Sequence, residues 1–79
     1  MSARVLFFGA TANIANKREV SIVVESELTV AGVLMAIVLQ IPGLTSYKLH
    51  VSLNQQYADG NELVRDGDEL AIFTAVSGG

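Results

Sequence analysis

Cysteine is absent from the chain. Without it there is no thiolate nucleophile, no thiolate metal ligand and no disulfide. A domain of 79 residues buries only about 60% of its unfolded surface. Lacking disulfides, it rests on packing alone, which suits a reducing compartment, so a cytoplasmic location is expected. So small a core also leaves little volume for a deep substrate pocket.

Histidine occurs once, as His50. It opens an expected strand with no acid pair beside it, so it reads as structural or solvated rather than catalytic. No ligand cluster suggests a metal site, and no Gly-rich phosphate motif is present. Long apolar runs are also missing. Val5 to Phe8 is too short for the core of a signal peptide. Residues 28 to 39 fall short of the roughly 18 to 20 needed to cross a bilayer, so no membrane segment is expected.

Positive charge is scarce in the second half. From residue 50 onward Arg65 is the sole full cation, against Asp59, Glu62, Asp66, Asp68 and Glu69. That balance disfavours nucleic acid. It fits a basic protein partner and equally a merely well-solvated surface.

What is present is a single domain over residues 1–79. At 51% hydrophobic and 16% charged residues, its composition is that of a packed chain rather than a disordered one. Arg4 to Gly9 predicts a strand, although both its faces are apolar and the pattern does not say which points inward. Ala10 to Asn16 reads as a connection. Val20 to Val24 predicts a second strand, with Ser21 and Val23 on one face and Val20, Ile22 and Val24 on the other. A short connection makes these two a hairpin.

Thr29 then suits a helix N-cap, and Leu28 stands at staple spacing from Val33. Val30, Val33, Leu34, Ile37, Val38 and Ile41 follow helical spacing, and Pro42-Gly43 stops the helix. The opposite face, Ala31, Gly32, Met35, Ala36 and Leu39, carries no charge. It reads as a modest patch of mostly small side chains, with cover by another chain as the alternative.

His50 to Asn54 predicts a third strand, with an excursion at Tyr57 to Gly60. Asp66-Gly67-Asp68 is a turn. Leu70 to Val76 is the last strand, with Leu70 and Ile72 facing the core and Ala71 and Phe73 facing away. The order of elements gives an α+β domain with one main helix on one face of a mixed sheet.

By elimination, chemistry falls to Ser77-Gly78-Gly79. Two glycines without Cβ atoms can thread a narrow channel and adopt backbone angles barred to other residues. The carboxylate of Gly79 is then the reactive group expected on an arm of the domain. Glycine tails can also be inert, and the tail alone does not separate these readings.

Several stretches together resemble the small subunit of molybdopterin synthase, a β-grasp (ubiquitin-like) sulfur carrier family. They are Val5-Leu6-Phe7-Phe8, Leu28-Thr29-Val30 and Pro42-Gly43-Leu44, then Val51 to Tyr57, Leu63 to Ala71, and Val76-Ser77-Gly78-Gly79. The match runs the length of the chain. It departs at Ala12-Asn13 and Asn16, where the family often has Arg-Glu and Gly, and at Thr74-Ala75, where prolines are common.

The resemblance implies a mechanism. An E1-like adenylyltransferase, using ATP, would activate the Gly79 carboxylate, which sulfur transfer would turn into a thiocarboxylate. The large synthase subunit, joined in a heterotetramer, would take up the tail. The sulfur would pass to a pterin precursor in molybdenum cofactor biosynthesis. The chain would bind no cofactor itself and would not be catalytic alone. Phe8, Tyr57 and Phe73, with Val76 and Ser77, are the expected partner-binding residues, and Gly78 and Gly79 the reactive end. A carrier for thiamine synthesis, a ubiquitin-like modifier and a plain binding module are the alternatives.

Overall fold

The computed structural model describes residues 2–23 and 27–74. Strand β1 spans Ser2–Phe7 and runs antiparallel to β2, Glu19–Val23. The ambiguity of the first strand is resolved by burial: Ala3, Val5 and Phe7 point into the core, while Arg4 and Leu6 face the other way. On β2, Val20 and Ile22 pack against that core, whereas Ser21 and Val23 are exposed. This is the expected alternation; Val24 lies outside the described residues.

The expected connection from Ala10 to Asn16 is instead mostly helical, with α1 covering Ala10–Ala15. Three alanines in six residues are compatible with a helix, though six residues are too few for propensity alone to hold one. Both ends are set by left-handed backbone. Gly9 enters at φ 58° and Asn16 leaves at φ 58°, ψ 34°, a conformation in which asparagine is tolerated. Thr11 is fully buried on this helix. The chain still returns as a hairpin.

Next come β3, Leu28–Thr29, and the main helix α2, Val30–Gln40. The Thr29 hydroxyl accepts the Gly32 N–H at 3.1 Å, so the residue caps the helix as its type predicts. Val30, Val33 and Ile37 are fully buried, one turn apart. Pro42 begins a 3₁₀ turn, Pro42–Ser46, that delivers Leu44 to the core. Among the described residues nothing covers the outer face of α2: Met35 and Leu39 are 67% and 77% exposed.

Strand β4, Leu49–Leu53, turns into β5, Gln56–Tyr57, through Asn54-Gln55. Both turn residues have positive φ, as the tightest hairpin loops demand. Strand β6, Leu63–Val64, pairs with β3 as a separate two-stranded ladder. Strand β7, Glu69–Thr74, closes the fold. The main sheet has the order β2-β1-β7-β4-β5, with β7 parallel to β1 and antiparallel to β4. Leu70 and Ile72 are fully buried under α2 and the 3₁₀ turn. Residues 75 and 76, expected to continue this strand, lie outside the described residues.

The result is the expected α+β arrangement: helices on one face of a mixed sheet, the other face bare among the described residues. Among the described residues no helix is long and apolar enough to cross a membrane.

Candidate functional site

The bare sheet face is built by strand alternation. Once Val5, Leu70, Ile72 and Val51 commit to the core, their neighbours must point outward. Register then decides which of these meet. His50 lies opposite Phe73 across the β4–β7 ladder, and Ser52 opposite Tyr57 across β4–β5. The His50 and Phe73 rings stack at a centroid separation of 5.8 Å. Tyr57 meets Phe73 edge-on, also at 5.8 Å.

Phe73 is thus half-buried between two rings. Tyr57, at 81% exposure, stands nearly clear of the sheet. Such edge and stacked contacts fix ring orientation while leaving apolar area facing water.

Phe73 and Tyr57 are two of the expected partner-facing aromatics, and the structure joins them. Phe8, the third, follows directly on β1. Its N–H donates to the Ile72 carbonyl at 3.1 Å, and its ring is half exposed. It lines a shallow recess with Asn13 and Arg18.

The ring that completes the cluster is His50, which sequence reasoning set aside as structural or solvated. Its signal was available only through register. A histidine at the start of a strand says nothing until its cross-strand partner is known to be aromatic.

The end of β7 that leads toward the tail is held by Thr11. Its hydroxyl accepts the Phe8 N–H at 3.0 Å and lies within donating distance of two carbonyls, Phe8 at 2.7 Å and Ile72 at 2.8 Å. One buried side chain thereby ties α1 to both central strands at the edge from which residue 75 continues. Val76, Ser77, Gly78 and Gly79 lie outside the described residues.

Further down the outer face, Arg4 on β1 pairs with Glu69 on β7, next to it in the parallel ladder. The Glu69 hydrogen bond, with added attraction from Glu19, raises the Arg4 pKa above its ordinary value. Arg4 therefore stays cationic. The acids of the second half serve local structure. Asp68 accepts from the Asn54 amide and from the Arg65 N–H. Glu62 accepts the N–H groups of Asp59 and Gly60. Among the described residues no group of three or more potential metal ligands gathers.

Comparisons with known proteins agree with this geometry. The model of the ThiS family matches residues 5–79. The molybdopterin synthase sulfur carrier subunit of Drosophila melanogaster is 34% identical over 84 aligned positions, covering 100% of this chain and 92% of that one. Among solved structures, SAMP1 from Haloferax volcanii superposes with a TM-score of 0.87 at 32% identity, covering each chain completely. A Helicobacter pylori complex of subunits 1 and 2 of molybdopterin-converting factor includes a chain that matches with a TM-score of 0.72 at 27% identity, again over the full length of both.

Proposed function

The chain belongs to the ThiS family, whose ubiquitin-like β-grasp fold it shares, and on that premise we propose that it is the sulfur carrier subunit of a cytoplasmic molybdopterin synthase. The observation that carries this is the 34% identity with the Drosophila sulfur carrier subunit, over 100% of this chain and 92% of that one. The Helicobacter complex of two subunits supports a large partner subunit as the place where the carrier works.

In this reading the protein is a delivery domain and not a catalyst by itself. An adenylyltransferase joins the Gly79 carboxylate to the α-phosphate of ATP and releases pyrophosphate. A sulfur nucleophile displaces AMP and leaves a thiocarboxylate. The large subunit then receives the tail, and the terminal sulfur attacks a carbon of the pterin precursor, forming a C–S bond as a C–O bond breaks and its oxygen leaves. Water cleaves the resulting acyl link and returns the carboxylate. A dithiolene holds two sulfurs, so two carriers are spent per product. Docking through the His50–Phe73–Tyr57 face raises the local concentration of the tail sulfur at the pterin, converting a bimolecular encounter into a tethered one.

A second reading has its own support. SAMP1 of Haloferax volcanii, a small archaeal modifier protein, is 32% identical to this chain. Both uses begin with the same adenylate, and a modifier would pass Gly79 to a lysine amine instead of exchanging oxygen for sulfur.

Intact-mass spectrometry separates the two. Incubation with the adenylyltransferase, ATP and a sulfur donor should replace one oxygen of the terminal carboxylate with sulfur. Adducts on lysines of other proteins, with no thiocarboxylate formed, would replace the carrier reading with the modifier one.

A further inference from the structure

The parallel pairing of β1 and β7 gives the sheet two chemically different ends. At one end lie Ser2, Arg4 and the Asp66-Gly67-Asp68 turn: the Ser2 N–H donates to Asp66, and the Arg4 N–H to the Asp68 carbonyl. At the other end, β7 finishes beside Phe8, and the tail departs.

Three of the five basic residues gather at this second end. Lys17 and Arg18 immediately precede β2, and the Arg18 carbonyl accepts the Phe7 N–H at 2.8 Å. Lys48 immediately precedes β4, whose first residue, Leu49, pairs with Thr74. The nearest acid, Glu19, is directed onto the outer face, where it acts on Arg4. Among the described residues the one ion pair is Arg4–Glu69, so none of the three cations at the tail end is paired with a described acid. A chain of net charge −3 thus carries a positive collar around the exit of its tail.

The collar includes a shaped feature. Phe7, Phe8, Gly9, Ala12, Asn13 and Arg18 line a shallow recess at this end. Its lining brings the cationic residue Arg18 and the amide-bearing Asn13 together beside the half-exposed Phe8. That donor set matches a carboxylate, which guanidinium groups bind through paired hydrogen bonds.

We propose that the collar docks against acidic side chains at the mouth of the channel by which the large synthase subunit takes up the tail, with one carboxylate seated in the Phe8–Asn13–Arg18 recess. This rests on the sulfur-carrier reading and adds the charge of the partner's rim. With the tail drawn into a channel, a rim side chain is nearer the collar than a nucleotide phosphate joined to Gly79. Residues 75–79, drawn out into a channel at ~3.3–3.6 Å each, carry the carboxylate up to about 17 Å beyond Thr74. A phosphate joined to Gly79 would be at the far end of that span, whereas the mouth stays against the collar.

The test measures association of the purified chain with the large synthase subunit of the same organism, by surface plasmon resonance over a salt series. Arg18→Glu should slow association by about tenfold at low salt and flatten the salt dependence, since rim charges act chiefly on the on-rate. Lys48→Glu should act in the same direction. Arg65→Glu makes the same charge change near the opposite end and should bind as the parent does. Circular dichroism melts confirm that each variant is folded. Unaltered association of Arg18→Glu, or equal slowing by Arg65→Glu, overturns the collar while leaving the carrier reading in place. Absence of any complex with the unaltered chain overturns the carrier reading and the collar with it.

Discussion

The hydroxyl of Thr11 lies 2.8 Å from the carbonyl of Ile72, sixty-one positions away in the chain. Its side chain is the one buried polar group among the described residues, and it also accepts the Phe8 N–H. Thr11→Val keeps the shape and removes the hydroxyl, while the backbone bonds from Phe8 N–H to Ile72 and from Thr11 N–H to Phe8 remain. The expected loss of stability is about 0.5–1.5 kcal/mol, with Thr11→Ser closer to the parent. Urea unfolding at constant m-value checks this; equal midpoints for parent and Thr11→Val would refute it.

Acid should weaken the fold through Glu62 and Asp68. Backbone N–H groups, Asp59's foremost, hold the Glu62 carboxyl below its ordinary pKa. The Asn54 amide, followed by the Arg65 N–H, does the same for Asp68. A carboxyl whose pKa is lowered by folding stabilises the native state above its unfolded pKa. That contribution disappears as the pH falls through the folded value. Melting temperature should therefore decline as the pH drops through and below the ordinary carboxylate range. The Glu62→Gln, Asp68→Asn double variant should melt lower at neutral pH and decline less on acidification. A parallel pair of curves would show that these two carboxyls are not responsible.

Much of the fold is legible in the sequence because local rules and tertiary packing agree. Thr29, the apolar stripe from Val30 to Ile41, and Pro42 mark the main helix with a cap, a face and a stop. Leu70 and Ile72 alternate with Ala71 and Phe73 in a way that admits one inward face.

The first strand is different. Val5, Leu6, Phe7 and Phe8 are apolar on both sides, and only pairing with β7 decides the matter. The helix at Ala10–Ala15 is too short to stand on propensity and is anchored by the bond from Thr11 to the distant Ile72 carbonyl. Turn residues with positive φ at Asn54-Gln55 are equally silent, since glutamine rarely announces such a conformation. Phe73 was legible through strand alternation, and Tyr57 through family resemblance. His50 was not, because stacking depends on a register that links residues far apart in sequence.

The tail should be separable from the fold. Removing Gly79 takes away the terminal group without touching Thr74, Thr11 or any core residue, so thermal melting should be unchanged. Sulfur transfer to the pterin precursor, assayed with the purified partners, should be abolished. Gly78→Val should also impair transfer, by adding a branched side chain where a narrow channel admits none. Product formation by the truncated chain would show that the reactive group is elsewhere.

Phe73 distinguishes a docking face from a core. Its ring is on the outer side of β7, held between His50 and Tyr57 at 5.8 Å from each, while its neighbours Ile72 and Leu70 are fully buried. Were Phe73 part of the core, Phe73→Ala would cost roughly 3–5 kcal/mol and largely unfold so small a domain. On the outer face the substitution loses two ring contacts and some partly covered area, an expected cost of about 1 kcal/mol. In the complex the loss should be larger. An aromatic anchor near the centre of an interface costs ~2 kcal/mol or more on truncation, about thirtyfold in affinity. Tyr57→Ala should follow the same pattern with a smaller change in stability, since Tyr57 is almost fully exposed in the free chain. Melting temperature and affinity for the large subunit, measured on the same preparations, decide the question. Weakened binding with stability nearly intact supports the docking face. A collapse of stability, or binding equal to that of the parent, rules it out.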